Sequence, residues 1–107
     1  MPNGGDRNWV RLCAAVDGFR ARHRSWPSRI RISPRVIADL RDNVFDRHSF
    51  KRLEAKLALV PDETSFIAQD DEGRSHNLGE EGFSKVEPDT RTSDWIGIVP
   101  KPEAYWG

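Results

Sequence analysis

The sequence is poor in cysteine and has no long apolar runs. Cys13 is the only cysteine among 107 residues, which excludes an internal disulfide framework and favours a reducing compartment. No stretch approaches the roughly 18 consecutive apolar residues that a membrane span needs. Residues 1–6 also lack the basic start and apolar run of a signal peptide. We therefore expect a cytoplasmic protein with no membrane partner.

Signatures of catalysis and of metal binding are also missing. The histidines at positions 23, 48 and 76 are scattered, and none has the paired spacing of a zinc site. The acidic residues 70–72 do not begin a calcium loop, because Arg74 stands where that pattern requires an oxygen ligand. No nucleophile elbow, phosphate loop or dinucleotide fingerprint occurs. We expect no enzyme activity, no metal, no cofactor and no small-molecule substrate.

The formal net charge of zero conceals an uneven distribution. Residues 1–60 contain 13 Lys/Arg against 6 Asp/Glu, a balance of +7, and 11 of those cations are arginine. Residues 61–107 contain 4 against 11, a balance of −7. Either the basic half forms an anion-binding face, since arginine suits phosphate and carboxylate, or the two halves pack together and neutralise each other.

Large aromatic side chains compensate for the low apolar content of 36%. Four Trp and five Phe can bury on the order of 150–250 Å² each, enough to build one modest core. We expect a single domain over residues 1–107, with a frayed start (1–5) and an extended Pro/aromatic tail (100–107). In that tail, Tyr105 and Trp106 are candidate partner-binding residues, because such rings are enriched at interaction hot spots.

Apolar periodicity and capping residues predict three helices in the first 60 residues. The first begins near Asn8 and ends before Pro27, and the second begins at Ser33 and Pro34. The third covers residues 46–58, with Asp46 as its cap and a basic outer face. Its inward positions are Phe50, Leu53 and Leu57. Alternating residues 28–32 predict a short strand between the first two helices.

The pattern changes to a period of two after the third helix. Residues 65–70 and 74–78 predict the arms of an antiparallel hairpin around a turn closed by Gly73. In that register Ala68 faces His76, and Phe66 faces Leu78. Asp70 and Arg74 would form a cross-strand ion pair. Residues 83–94 are interpreted mostly as loop and residues 95–99 as an extra strand.

The order of these elements resembles a winged helix over about residues 8–80. The apolar positions of the helix-turn-helix part are Leu40, Val44, Phe50, Leu53 and Leu57. The resemblance implies that residues 46–58 are a recognition helix. Its nucleic-acid-binding candidates are Arg47, His48, Lys51, Arg52 and Lys56, joined by Arg29 and Arg31 on the preceding strand. The acidic residues 70–72 at the wing tip, and residues 79–107, depart from the pattern.

Two functions follow from this sequence. The first is a non-catalytic protein-interaction or regulatory module with an unknown protein partner. The alternative is a winged-helix-like nucleic-acid-binding protein that uses the arginine-rich half. A nucleic-acid binder needs a contiguous cationic patch that is not neutralised by acids, and this feature separates the two hypotheses.

Overall fold

The computed structural model describes residues 8–81 and 91–97. These residues form an α+β fold, and the three helices followed by an antiparallel hairpin are confirmed. The elements in chain order are α1 (Asn8–His23), β1 (Arg29–Ile32), α2 (Pro34–Asp39), α3 (Arg47–Lys56), β2 (Ala58–Pro61), β3 (Phe66–Gln69), β4 (Ser75–Asn77), α4 (Leu78–Glu81) and α5 (Arg91–Ile96). The start (1–5) and the tail (100–107), with Tyr105 and Trp106, lie outside the described residues.

Four strands form one mixed sheet in the order β2-β1-β3-β4. β1 is parallel to β2 and antiparallel to β3, which forms the hairpin with β4. Two predicted pairs are confirmed, because Ala68 lies opposite His76 and Arg74 Nε lies 2.7 Å from Asp70 Oδ2. The predicted Phe66–Leu78 pair is not part of the ladder, since Leu78 begins α4. Gly73 closes the turn with a φ of 84°, a left-handed conformation that glycine adopts without steric cost.

The predicted helix starts are also confirmed. Ser33 Oγ accepts a hydrogen bond from the Val36 amide at 3.3 Å, and Pro34 occupies the first position of α2. Asp46 caps α3 by accepting from the Ser49 amide at 2.7 Å. Beyond α2 the helix widens into a π turn (Leu40–Val44), which brings two more apolar side chains into the core.

The helices pack against one face of the sheet. Alternation along β1 places Ile30 and Ile32 in the core and the two strand arginines on the opposite face. Trp9 of α1 packs edge-on against Phe45, with ring centroids 4.8 Å apart. The largest fully buried side chains are Trp9, Phe19, Phe45, Leu12, Ile30, Ile32, Leu40, Leu53, Leu57, Val16 and Thr92.

Three elements differ from the sequence-based prediction. One is α4, because Leu78, the predicted end of the second hairpin arm, begins a helix. Residues 91–96 are helical and Gly97 is a turn residue, so the predicted strand over 95–99 is wrong at its first three residues. The predicted loop over 83–94 is wrong at its last four residues. Thr92 and Ile96, four residues apart, are both buried, and this helical packing outweighs the strand preference of the Trp-Ile pair. β2 was not predicted, because the third helix was expected to extend to residue 58.

The winged-helix topology stays a prediction. The order of helices and hairpin agrees with it, but β2 adds a strand parallel to β1 that a minimal winged helix does not have. Residues 98 and 99 of the predicted extra strand lie outside the described residues.

Candidate functional site

The two candidate arginines of β1 are engaged by acids within the fold. Arg29 Nη1 donates to Asp71 Oδ1 at 2.8 Å, and its Nη2 donates to the Asp70 carbonyl at 3.0 Å. Arg31 Nε donates to Asp62 Oδ2 at 3.1 Å. Both side chains lie on the sheet face opposite the helices. They are therefore separate from the α3 candidates and are neutralised by the acidic half of the chain.

Two carboxylates on this side of the fold, Asp62 and Asp70, are stabilised in their charged form. The Thr64 amide, then the Ser65 hydroxyl and Arg31, hold the pKa of Asp62 below its usual range. Burial alone would raise the pKa of Asp70, but hydrogen bonds from Arg74 and from the Glu72 amide outweigh it and lower that pKa. The acidic turn is thus internally paired rather than a free acidic surface.

The α3 cations are in a different electrostatic situation. Phe50 and Leu53 anchor the inner side of the helix, so its outer side faces solvent. All five candidate residues on this helix are exposed: Arg47, His48, Lys51, Arg52 and Lys56. Within residues 8–81 and 91–97, none of the five forms an ion pair with an acid. The structure therefore brings these candidates together on one exposed helix face that carries four permanent cations.

Three of these residues form a row along the helix. His48, Arg52 and Lys56 are spaced four residues apart and therefore share one side of α3 over about 12 Å. The C-terminal end of this row reaches α5. The Arg52 guanidinium lies over Gly97, so closely that a Cβ there would be 2.8 Å from Nη2. Gly97 has a φ of 78° and ends α5, which leaves room for this arginine.

A pair of stacked tryptophans continues the row beyond Lys56. The Trp26 and Trp95 rings lie 4.5 Å apart at 4° between their planes, and both are partly exposed. Lys56 Nζ lies over the Trp95 ring at 5.6 Å from its centroid. The Arg20 guanidinium carbon lies over Trp26 at 5.2 Å. We call the five α3 residues together with Arg20, Trp26 and Trp95 the basic-aromatic strip.

Buried contacts hold the tryptophan pair in place. Thr92 Oγ1 donates to Asp17 Oδ1 at 2.7 Å and thereby fastens α5 to α1. Ile96, on the same helix as Trp95, is only 2% exposed. Pro27, directly after Trp26, is also buried. The two indoles are therefore a fixed platform rather than loosely attached surface rings.

Sequence analysis missed both tryptophans as site residues. Trp26 follows the basic run Arg22-His23-Arg24, and this local signal could have nominated it. Trp95 had no such signal. The residues beside it in the strip come from α1, α3 and the loop after α1, which are all distant from it in the sequence. Only the tertiary packing of α5 brings it there.

The other polar clusters are less suited to binding a ligand. His76 is 4% exposed and packs against Gly18, where a Cβ would be 2.7 Å from Cδ2 of the imidazole ring. This histidine therefore serves the packing of β4 against α1. A concavity of about 490 Å³ beside the start of α2 is lined by both charge signs, including Arg11, Arg35 and Asp39. Neither place has the single charge sign of the basic-aromatic strip.

No group of three or more His, Cys, Asp or Glu side chains within residues 8–81 and 91–97 is arranged to hold a metal ion. No helix in the same residues is long and apolar enough to cross a membrane.

No protein-family model, no curated protein and no solved structure matches this chain. The function is therefore argued from the surface itself.

Proposed function

We propose that this protein is a small non-catalytic module that binds nucleic acid through the basic-aromatic strip. The observation that carries the proposal is the division of the cations into two groups. Arg29 and Arg31 are bound by Asp71 and Asp62, whereas the α3 cations have no acid partner among the described residues. A polyanion gains most where cations are exposed and not already neutralised.

The chemistry of the strip favours phosphate as the group bound. Arg47 and Arg52 offer planar guanidinium forks, and Lys51 and Lys56 offer point charges, on one exposed helix face. Arg20 adds a fifth permanent cation at the far end of the tryptophan pair. Partly exposed aromatic rings beside cations are a combination that nucleic-acid-binding surfaces use.

Salt dependence tests the proposal on the unmodified protein. Fluorescence anisotropy is measured with a labelled 15-base-pair DNA duplex and a labelled (dT)15 strand at about 50 and 200 mM salt. Five phosphate contacts predict that the association constant falls by roughly 100- to 500-fold between these two salt concentrations. No binding of either probe at the lower salt contradicts the proposal. A protein partner, the first hypothesis from the sequence, then becomes the explanation to test by pull-down.

A matched pair of double variants locates the binding surface. Arg47→Gln with Lys51→Gln removes two exposed cations from α3 that pair with no acid among the described residues. We expect affinity to fall at least about 10-fold with a shallower salt slope. Arg29→Gln with Arg31→Gln removes the same charge from arginines that are already paired. This control should bind within about twofold of the original protein once salt screens distant charges. Equal losses in both variants would show that net charge, rather than the α3 face, determines binding.

A further inference from the structure

We infer that the ligand is single-stranded nucleic acid, with one base stacked on Trp95 and the neighbouring phosphates bound by α3. This inference rests on the proposed function and specifies the ligand class. Every base has a π face that can stack on an aromatic side chain when the strand is unpaired. In a duplex those faces are already occupied by neighbouring bases, so a duplex can use only the cations of the strip.

The Trp26–Trp95 pair has the properties of a stacking platform. Its planes are nearly parallel, at 4°, and both rings are partly exposed. The buried residues Thr92 and Ile96 fix the helix that carries Trp95. A base that stacks there therefore does not have to order a flexible side chain, which is a cost that weakens many surface contacts.

Lys56 covers the ring of Trp95 on which a base would stack. Its ammonium group lies over the Trp95 ring, and among the described residues it makes no hydrogen bond or ion pair. A cation–π contact at an exposed site stabilises less than the stacking of a base does. A base can therefore displace the Lys56 ammonium, which is then free to bind the adjoining phosphate. At the other ring, Arg20 is retained by its hydrogen bond to the Arg24 carbonyl at 2.7 Å.

Further charged residues of α3 extend along the helix from the position where a base would stack on Trp95. Arg52 and His48 continue from Lys56 along the same side of α3, at steps of about 6 Å. Lys51 and Arg47 lie on the adjacent exposed positions of the helix. The permanent cations Lys56, Arg52, Lys51 and Arg47 therefore extend from the stacking position over about 14 Å of the helix. A line of cations beside a stacking ring supplies the two kinds of contact that proteins use to bind a single strand.

The test compares three ligands of equal length: (dT)15, a 15-unit abasic deoxyribose-phosphate strand, and a 15-base-pair duplex. We expect the original protein to bind (dT)15 roughly 5- to 150-fold more tightly than the abasic strand, the range for one stacked base. Trp95→Leu should reduce this difference to within about twofold. Far-ultraviolet circular dichroism checks that the variant is folded. Lys56→Met should weaken the abasic strand more than (dT)15, because it removes a phosphate-binding cation and also the ammonium that a base has to displace from the Trp95 ring.

The outcomes separate this inference from the proposed function. If (dT)15 and the abasic strand bind equally well to the original protein, or if the duplex binds more tightly than (dT)15, the inference is wrong and the nucleic-acid proposal stands. If none of the three ligands binds, the proposed function itself is wrong. Because the first comparison uses the original protein, it decides the inference even if Trp95→Leu does not fold.

Discussion

Residues of the same type have different roles in this protein, depending on what the fold places beside them. Arg31 donates to Asp62 across the end of the sheet, whereas Arg47 on α3 faces solvent. The glycines differ as well, since Gly73 provides a turn and Gly18 provides space. At Gly18 the His76 ring lies so close to the α1 backbone that no side chain fits between them.

The Gly18 contact gives a prediction for a double-mutant cycle. In the interior of a helix, Gly→Ala normally stabilises by about 1 kcal/mol. Here the new Cβ would lie 2.7 Å from Cδ2 and 2.8 Å from Cε1 of the His76 ring. We expect Gly18→Ala to lower the free energy of unfolding by about 1–3 kcal/mol, as overpacking does in cores. Urea unfolding measures the change.

The same substitution should behave differently once the imidazole ring is removed. In a His76→Ala background, Gly18→Ala should be neutral or stabilising, so the coupling between the two sites should be at least about 1 kcal/mol. Additive effects of the two substitutions would contradict the proposed contact.

Acid pH should destabilise the protein through its paired carboxylates. The pKa values of Asp62 and Asp70 lie below their ordinary value of 3.8 in the folded state. Between the folded and unfolded pKa values the unfolded chain binds more protons, so stability falls as pH decreases through this range. The contribution is complete above the unfolded value and is lost as pH falls through the folded one. Thermal unfolding between pH 6 and pH 2 should show this decline.

Asp70→Asn tests how much one of these two carboxylates contributes to the loss of stability at acid pH. The variant keeps an oxygen for the Glu72 and Arg74 amides but loses the ion pair with the Arg74 side chain. We expect a lower Tm at pH 6 and a smaller decline between pH 4 and pH 2. An unchanged acid profile would exclude Asp70 as a contributor.

At the scale of elements, local chemistry explains which parts of the fold could be predicted. Ser33 and Asp46 cap helices, and Gly73 closes a hairpin, within a few residues of the elements they define. β2 has no such signal, since its parallel partner β1 lies 29 residues earlier in the chain. α5 became a helix because Thr92 and Ile96 pack against distant parts of the chain.

Likewise, only part of the candidate site could be predicted from the sequence. The α3 cations could be predicted, because amphipathic spacing alone places charged residues on the outer face of a helix. The neutralisation of Arg29 and Arg31 could not, because it depends on loops that follow other strands. The platform could not be predicted either, since Trp26 and Trp95 meet only when α5 packs on α1.

The attachment of α5 gives a prediction at the scale of elements. Thr92→Val keeps the shape of the side chain but removes the hydroxyl that donates to Asp17 in a buried site. Because a buried acceptor loses one partner, the free energy of unfolding should decrease by about 1–3 kcal/mol. The near-ultraviolet circular dichroism of the stacked tryptophans should weaken if α5 shifts. Ser33→Ala, which removes a cap far from α5, should leave that signal unchanged.

At the scale of the whole molecule, the fold separates paired and unpaired cations of the described residues onto two surfaces. The sequence shows only a basic half and an acidic half. Acids from the second half neutralise arginines on the outer sheet face, while the helical face retains exposed cations on α3. Neutralisation of one half of the chain by the other is therefore observed on the sheet face, whereas anion binding is our proposal for the α3 face. A formal net charge of zero is compatible with a local polyanion-binding face, because charges beyond about 10 Å are largely screened at 0.1 M salt.

The proposed binding of nucleic acid to the basic-aromatic strip is tested most directly by an NMR titration with (dT)15. The backbone amides of α3 and the indole signals of Trp26 and Trp95 should shift together and saturate at one concentration. The indole signal of Trp9, which is 1% exposed, is an internal control and should not move. Shifts confined to β1 and the hairpin, with α3 unaffected, would contradict the account by placing the ligand on the opposite face of the sheet.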